Sequence, residues 1–171
     1  MKRLVLVRHG KSSWKNNLPD HKRPLKKRAY NDADVVLKAF RHFYKPGALF
    51  WTSYAVRANE TAKLFKEYLE VPDNDFKVLE DLYTFNQNEL LSQIRSCPDD
   101  TDKLFIFAHN PAMTILVNYL GDKEILFDNK SLPNKLDISV IGVDGLSWPD
   151  ETNSCVIPPG NYDFRRTSLM A

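Results

Sequence analysis

Cysteine is scarce in this sequence. Only Cys97 and Cys155 occur in 171 residues, too few for a disulfide framework. Neither stands at a metal-ligand spacing or shares a motif with a histidine. A thiolate metal centre and a disulfide-braced fold are therefore set aside, and a reduced, cytoplasmic setting is expected. Long hydrophobic runs are missing too. Nothing approaches the ~18 consecutive apolar residues that a membrane span needs, so no membrane is expected as a partner. The short apolar run after Lys2 and Arg3 ends in charge, unlike the core of a signal peptide. An excess of one charge is also lacking. The 24 Lys and Arg against 22 Asp and Glu leave a formal net charge of +2, which argues against a nucleic-acid partner. Internal repeats and low-complexity tracts are absent as well, which removes repeat architectures.

What is present suits a folded enzyme-sized domain. The chain is 43% hydrophobic and 12% aromatic, enough to bury a core and to argue against disorder. One domain over residues 1–171 is the natural reading at this length. Basic residues cluster in "DHKRPLKKR", residues 20–28. Such a run either faces water as a solvated loop or forms a positive rim that draws in an anionic substrate.

The order of elements predicts an α/β fold. "RLVLV" (3–7) has the continuous apolar character of a buried parallel strand. Residues 10–28 read as a polar loop. "NDADVVLKAFRHFY" (31–44) spaces Val36, Leu37, Phe40, Phe43 and Tyr44 as one helical face, and Pro46-Gly47 stops it. "ALFWTS" (48–53) is a second strand. "RANETAKLFKEYL" (57–69) is a helix with Ala58, Ala62, Phe65 and Leu69 on one face. "FKVLEDLY" (76–83) predicts a third strand, "QNELLSQIRSC" (87–97) a short helix and "KLFIFAHN" (103–110) a fourth strand. "PAMTILVNYLG" (111–121) is a helix with Asn110 as N-cap, Pro111 at its first position and Gly121 past its end. "DISVIGVDG" (137–145) and "NYDFRRTSL" (161–169) read as later strands at an edge. Alternating strands and helices imply a three-layer α/β/α sandwich around a mostly parallel sheet.

In such a sheet, ligands bind outside the carboxyl ends of the strands. The first strand delivers Arg8 and His9 there. The second delivers Thr52 and Ser53, then Arg57 at a helix start. The fourth delivers His109. Taken singly, an Arg-His-Gly triplet can arise by chance, His109 can be a satisfied histidine near the core, and Arg57 can be a surface helix charge. Together they form a set with chemical meaning. Arginine offers a planar fork of donors that grips phosphate. Neutral imidazole is a competent nucleophile toward phosphorus. A second histidine can bond an equatorial oxygen of the transferring group, and backbone N–H groups after Asn110 would add an anion site. This chemistry calls for no metal and no cofactor.

The sequence resembles the histidine phosphatase superfamily, whose fold is phosphoglycerate-mutase-like. "LVLVRHGKSSW" resembles its signature strand and Arg-His-Gly turn, "TSYAVRANETA" its second arginine motif and "FAHNPAM" the motif of its second histidine. The resemblance covers about residues 1–120 with three motifs in order. The short length and "DHKRPLKKRA" resemble its short phosphohistidine phosphatase branch, of SixA type. Ala29 and Ala108 stand where that branch has glycine. The resemblance implies that His9 is the phosphorylated nucleophile and that Arg8, Arg57 and His109 clamp the phosphoryl oxygens. It places Ser12, Lys15 and Arg23 as substrate-contacting or rim residues, for which plain loop solvation is the alternative. Glu60 and Thr61 brace the arginine and its helix in this reading. The C-terminal third matches only loosely.

The acid is the open point. Larger relatives protonate a leaving alkoxide with a carboxylic acid, help worth ~10²–10⁴-fold. The candidates here are Glu80 and Asp81, which are otherwise just charges opening a loop. The phosphohistidine branch generally lacks this acid, and imidazole leaves far more readily than an alkoxide. The expected activity is therefore hydrolysis of phosphohistidine or a related phosphoramidate, on a phosphorylated protein or a small phosphorylated substrate. The alternatives are a broad small-molecule phosphomonoesterase and a non-catalytic phosphate-binding module.

Overall fold

The computed structural model describes residues 2–15, 17–41, 44–120 and 138–143. Within them the chain forms a five-stranded sheet flanked by helices. Its strands are β1 (Lys2–Arg8), β2 (Leu49–Ser53), β3 (Phe76–Leu79), β4 (Lys103–Ala108) and β5 (Ile138–Val143), in the spatial order β3-β2-β4-β1-β5. β1, β2, β3 and β4 run parallel, and β5 pairs antiparallel with β1 at the edge. The helices are α1 (Lys27–Phe40), α2 (Val56–Leu69), α3 (Gln87–Arg95) and α4 (Ala112–Leu120).

The alternation of side chains along the strands builds two cores. Leu4, Leu6, Trp51, Leu104 and Ile106 face one side and pack with Leu90, Leu91 and Ile94 of α3 and Met113, Leu116 and Val117 of α4. Val5, Val7, Phe50, Phe105 and Phe107 face the other side and pack with Ala33, Val36 and Leu37 of α1 and Ala62, Phe65 and Leu69 of α2. Because both faces of the sheet's centre are covered, Leu4–Val7 of β1 and Leu104–Ala108 of β4 are apolar without interruption. This is the three-layer sandwich that the sequence predicts. The Phe50 and Phe105 rings stack at 4.2 Å and 10° across β2 and β4.

Several boundaries shift for local reasons. α1 begins at Lys27, not at Asn31, because Ala29 and Ala33 are both buried and extend the Val36–Leu37 face by one turn. The side chain of Phe40 and all of Phe43 lie outside the described residues. β3 ends at Leu79, not at Tyr83. Its last partner, Ser53, is where β2 stops, and Glu80–Leu82 then close a single 3-10 turn. α3 is capped by the Asn86 side chain, which accepts from the Asn88 N–H at 2.8 Å. α4 starts at Ala112, one residue past the expected Pro111, a difference within the ambiguity of any helix end. Gly121, the expected strand 161–169 and Cys155 lie outside the described residues. No described helix is long and apolar enough to cross a membrane.

The aromatic stack predicts its own cost. Phe105→Ala should lower the unfolding free energy by ~3–5 kcal/mol through lost burial and the cavity left behind. Denaturant unfolding followed by near-ultraviolet circular dichroism checks this, and a loss below ~1 kcal/mol would contradict the packing described.

Candidate active site

Register places the chemistry. Arg8 pairs with Ala108 across β1 and β4, and Thr52 pairs with Phe107 across β2 and β4. The residues that follow these pairs, His9, Ser53 and His109, therefore meet at one edge of the sheet. The structure extends β1 through Arg8, so the turn of the chain falls at His9 and Gly10, not before Arg8. The His9 and His109 rings lie 5.2 Å apart. Arg57, on the first turn of α2, points its Nε at His9 Nε2 at 3.0 Å. Three of the expected four residues thus converge by direct contact. The charge of Arg8 is also close enough to act on His9.

The turn after His9 is tied down. Gly10 N–H donates to Thr61 Oγ1 at 3.0 Å, and Thr61 Oγ1 donates to the Arg57 carbonyl at 2.7 Å. Leu25 N–H donates to Glu60 Oε2 at 2.9 Å. Glu60 and Thr61 therefore brace the loop and the helix.

His9 is held in one tautomer. Its Nδ1 lies 2.8 Å from the Gly10 carbonyl oxygen, which only accepts, so Nδ1 carries the proton. Nε2 is then left with its lone pair, where Arg57 Nε donates. Burial is the largest influence on its titration. It outweighs the Gly10 bond, and the positive charges of Arg57, Arg8 and Arg23 add to it, bringing the pKa down to about 4. The ring is thus neutral at neutral pH, the form a nucleophile needs. His109 is almost fully buried. Its Nε2 meets Ser53 Oγ at 3.0 Å, while its Nδ1 has no hydrogen-bond partner among the described residues. Burial first, then the charges of Arg57 and His9, bring its pKa down to about 3.

A carboxylate that the sequence pattern did not single out organises the cations. Asp20 sits on a short 3-10 turn, Asp20–Lys22, three residues before Arg23. Its Oδ2 accepts from Arg57 Nη2 at 2.7 Å and from the Tyr83 hydroxyl at 2.7 Å. Its carbonyl accepts from Arg57 Nη1 at 2.5 Å. Its Oδ1 accepts from Arg23 Nε at 3.0 Å. Partial burial alone would raise the Asp20 pKa. The Tyr83 hydroxyl and the Arg57 and Arg23 guanidinium groups overcome this and hold it far below the usual carboxylate range.

The remaining expected residues divide. Arg23 is buried, not spread on a solvated rim, and donates to Ser12 Oγ at 2.7 Å. Its guanidinium lies 3.6 Å from the Trp14 ring. Arg23 and Ser12 therefore join the cluster through Asp20. Lys15 is exposed, and its recorded bond is a backbone one to Ser13. Glu80 and Asp81 are exposed, and Asp81 accepts from Gln93 at 3.3 Å. The carboxylate that touches Arg57 is Asp20. Ser53, expected at the carboxyl end of the second strand, meets His109 there, and Tyr83 is a contributor with no distinguishing local pattern. Only the i, i+3 spacing of Asp20 and Arg23 on one turn could have flagged the acid.

The fold and site define a phosphate-handling α/β protein built on paired histidines. Residues 4–86 match the model of the histidine phosphatase superfamily (branch 1). Among solved structures, a provisionally named phosphohistidine phosphatase SixA from Agrobacterium tumefaciens overlays with a TM-score of 0.67 at 19% identity, covering 82% of this chain and 90% of that one. The protein histidine phosphatase SixA complexed with tungstate gives 0.68 at 16% identity, over 83% and 88%. A mycobacterial glucosyl-3-phosphoglycerate phosphatase gives 0.61 at 15% identity, over 92% and 97%. At these identities the likeness is one of fold. No sequence among curated proteins matches the chain.

The two depressed histidines predict a pH dependence of stability. Both have folded pKa values below the ordinary 6.5. As pH falls through 6.5 the unfolded chain takes up protons that the folded chain refuses. Their contribution to stability is therefore whole above pH 6.5 and declines down to about pH 4 for His9 and about pH 3 for His109. Urea unfolding across this window should show stability falling as pH falls, with a shallower slope in His9→Asn and His109→Asn. An unchanged slope in both variants would contradict the burial argument.

Proposed function

We propose that this chain is a phosphatase that carries the phosphoryl group on Nε2 of His9, with phosphohistidine or a related phosphoramidate as its substrate class. The observation that carries the reading is the His9 geometry: a neutral ring, protonated at Nδ1 by its bond to Gly10, with Nε2 beside Arg57.

The Nε2 lone pair attacks phosphorus, and the P–N bond to the substrate breaks. The departing imidazole leaves neutral when its second nitrogen has taken a proton from water, so the protein need not supply one. His9, now phosphorylated at Nε2 and still protonated at Nδ1, is cationic, and the Gly10 carbonyl stabilises that charge. Water then attacks phosphorus, the Nε2–P bond breaks with its electron pair returning to Nε2, and His9 regains its neutral Nδ1–H form; orthophosphate departs with one proton of that water, and the other returns to solvent in place of the proton the leaving imidazole took. Arg8, Arg57 and His109 meet the charge on the equatorial oxygens. A phosphate dianion beside His109 raises its pKa from the resting value, which lets Nδ1 donate.

The acid inventory supports this choice over the phosphomonoesterase. Asp20 is held ionised by its partners, and Glu80 and Asp81 face solvent. Among the described residues no acid is poised to donate, which suits a leaving group that can take its proton from water. The low cysteine content is in keeping with a cytoplasmic setting, and a phosphorylated protein is the partner class this reading favours.

Steady-state kinetics on a phosphohistidine peptide test the assignment. His9→Ala should abolish turnover, and His109→Ala should lower kcat by ~10²–10³-fold, as expected for removal of a transition-state donor. The double variant Glu80→Gln, Asp81→Asn should leave the rate unchanged. Full activity in His9→Ala would overturn the mechanism. Collapse of activity in the double carboxylate variant would favour the phosphomonoesterase.

A further inference from the structure

One side of the phosphate site is walled by rings. Tyr83, just past the 3-10 turn after β3, is the hub. Its ring centroid lies 5.1 Å from that of Tyr54, 5.6 Å from Phe85 and 5.3 Å from His109. Phe85 itself lies 5.7 Å from His109. His21 closes the far side, 5.8 Å from Tyr54 and 6.4 Å from Tyr83. The Arg57 guanidinium stands 6.0 Å from the Tyr83 ring.

Within this wall the rings have different surroundings. Tyr83 is held by its hydroxyl bond to Asp20. Tyr54 and Phe85 flank it and remain 39% and 46% exposed. Neither belongs to either core cluster. Single exposed apolar side chains are ordinary, but a contiguous set is not. Here two exposed rings, a tyrosine hub and a buried catalytic histidine form one run of aromatic neighbours. The His109 ring that faces His9 at 5.2 Å also meets Tyr83 at 5.3 Å and Phe85 at 5.7 Å, so these rings border the space beside the paired histidines. The group joined to phosphorus by the scissile bond is therefore within their reach.

We infer that Tyr54, Tyr83 and Phe85 form a leaving-group subsite that selects substrates whose phosphorus is bonded to a planar aromatic ring. This rests on the phosphatase reading above and sharpens it. The shared chemistry is a flat ring that stacks or meets edge-to-face with the wall at centroid distances of ~4.5–7 Å. Imidazole of a phosphohistidine protein and a phenol both offer it, whereas a lysine amine or an alkyl alcohol does not. Selection of this kind acts on kcat/KM through differential binding of the transition state.

The test compares substrates in pairs that share a bond type: a phosphohistidine peptide against a phospholysine peptide, and phenyl phosphate against ethyl phosphate. For each pair the ratio of kcat/KM, ring over aliphatic, is measured in the wild type and in Tyr54→Ala, Phe85→Ala. Intrinsic leaving-group reactivity cancels between the two proteins. The ratio should fall ~10-fold in the double variant, as expected for loss of two ring contacts, and should be retained in Tyr54→Phe, Phe85→Tyr. A fall confined to the phosphohistidine pair supports the subsite and identifies imidazole as its occupant. A fall confined to the phenyl pair supports it and identifies a phenol. Equal losses on ring and aliphatic substrates, or no change in either ratio, would overturn the subsite. Failure of the His9 mechanism is read separately, as full turnover in His9→Ala.

Discussion

The site turns on where the Arg57 guanidinium puts its hydrogens. The side chain is 2% exposed, so water cannot satisfy it. Leaving a buried cation unpaired would cost several kcal/mol. Each arm therefore has an assigned acceptor: Nε to His9, Nη1 to the Asp20 carbonyl and Nη2 to the Asp20 carboxylate. This one fork ties the end of β1 to the turn at Asp20 and to the start of α2. Thr61, one helical turn on, ties Gly10 into the same helix. His9, the proposed nucleophile, is positioned because a buried charge had to be answered.

The same fork explains the resting electrostatics. Three arginines near His9 and burial of both histidine rings make protonation costly, so the imidazoles stay neutral until an anion arrives. Asp20 is the anion that holds the arginines meanwhile. In the proposed reaction an incoming phosphate competes with it for the Arg57 fork, since the bidentate geometry that suits a carboxylate suits a phosphate equally, and the His9 lone pair is released in the exchange. Asp20 itself, kept ionised, is a poor proton donor, which accords with the proposed phosphoramidate substrate class.

Much of this was legible in the sequence. β1, β2 and β4 are uninterrupted apolar runs because helices cover both faces of the sheet, so their periodicity and their ends could be read directly. The Arg8-His9-Gly10, Arg57 and His109 motifs sit at three strand ends, and the sheet topology does the rest. Legibility failed where the decisive contacts are tertiary. Arg23 stands in a basic run that reads as solvated, yet Asp20 and Ser12 bury it. Asp20 gains its role only because the loop folds back onto Arg57, 37 residues away in sequence. Tyr83 looked like the end of a strand, but β2 is too short to pair with it, and the chain turns so that its hydroxyl reaches Asp20. Glu80 and Asp81, read as candidate acids, lie exposed on the turn after β3, and the carboxylate in contact with Arg57 is Asp20.

The central claim is that phosphate passes through Nε2 of a neutral His9. Rapid-quench trapping with a labelled substrate, followed by peptide mapping under basic conditions, tests it most directly. The label should be acid-labile, base-stable and confined to the peptide containing His9, with the phosphorus on Nε2. Label on the His21 or His109 peptide instead, or turnover with no trapped label at any time point, would contradict the account.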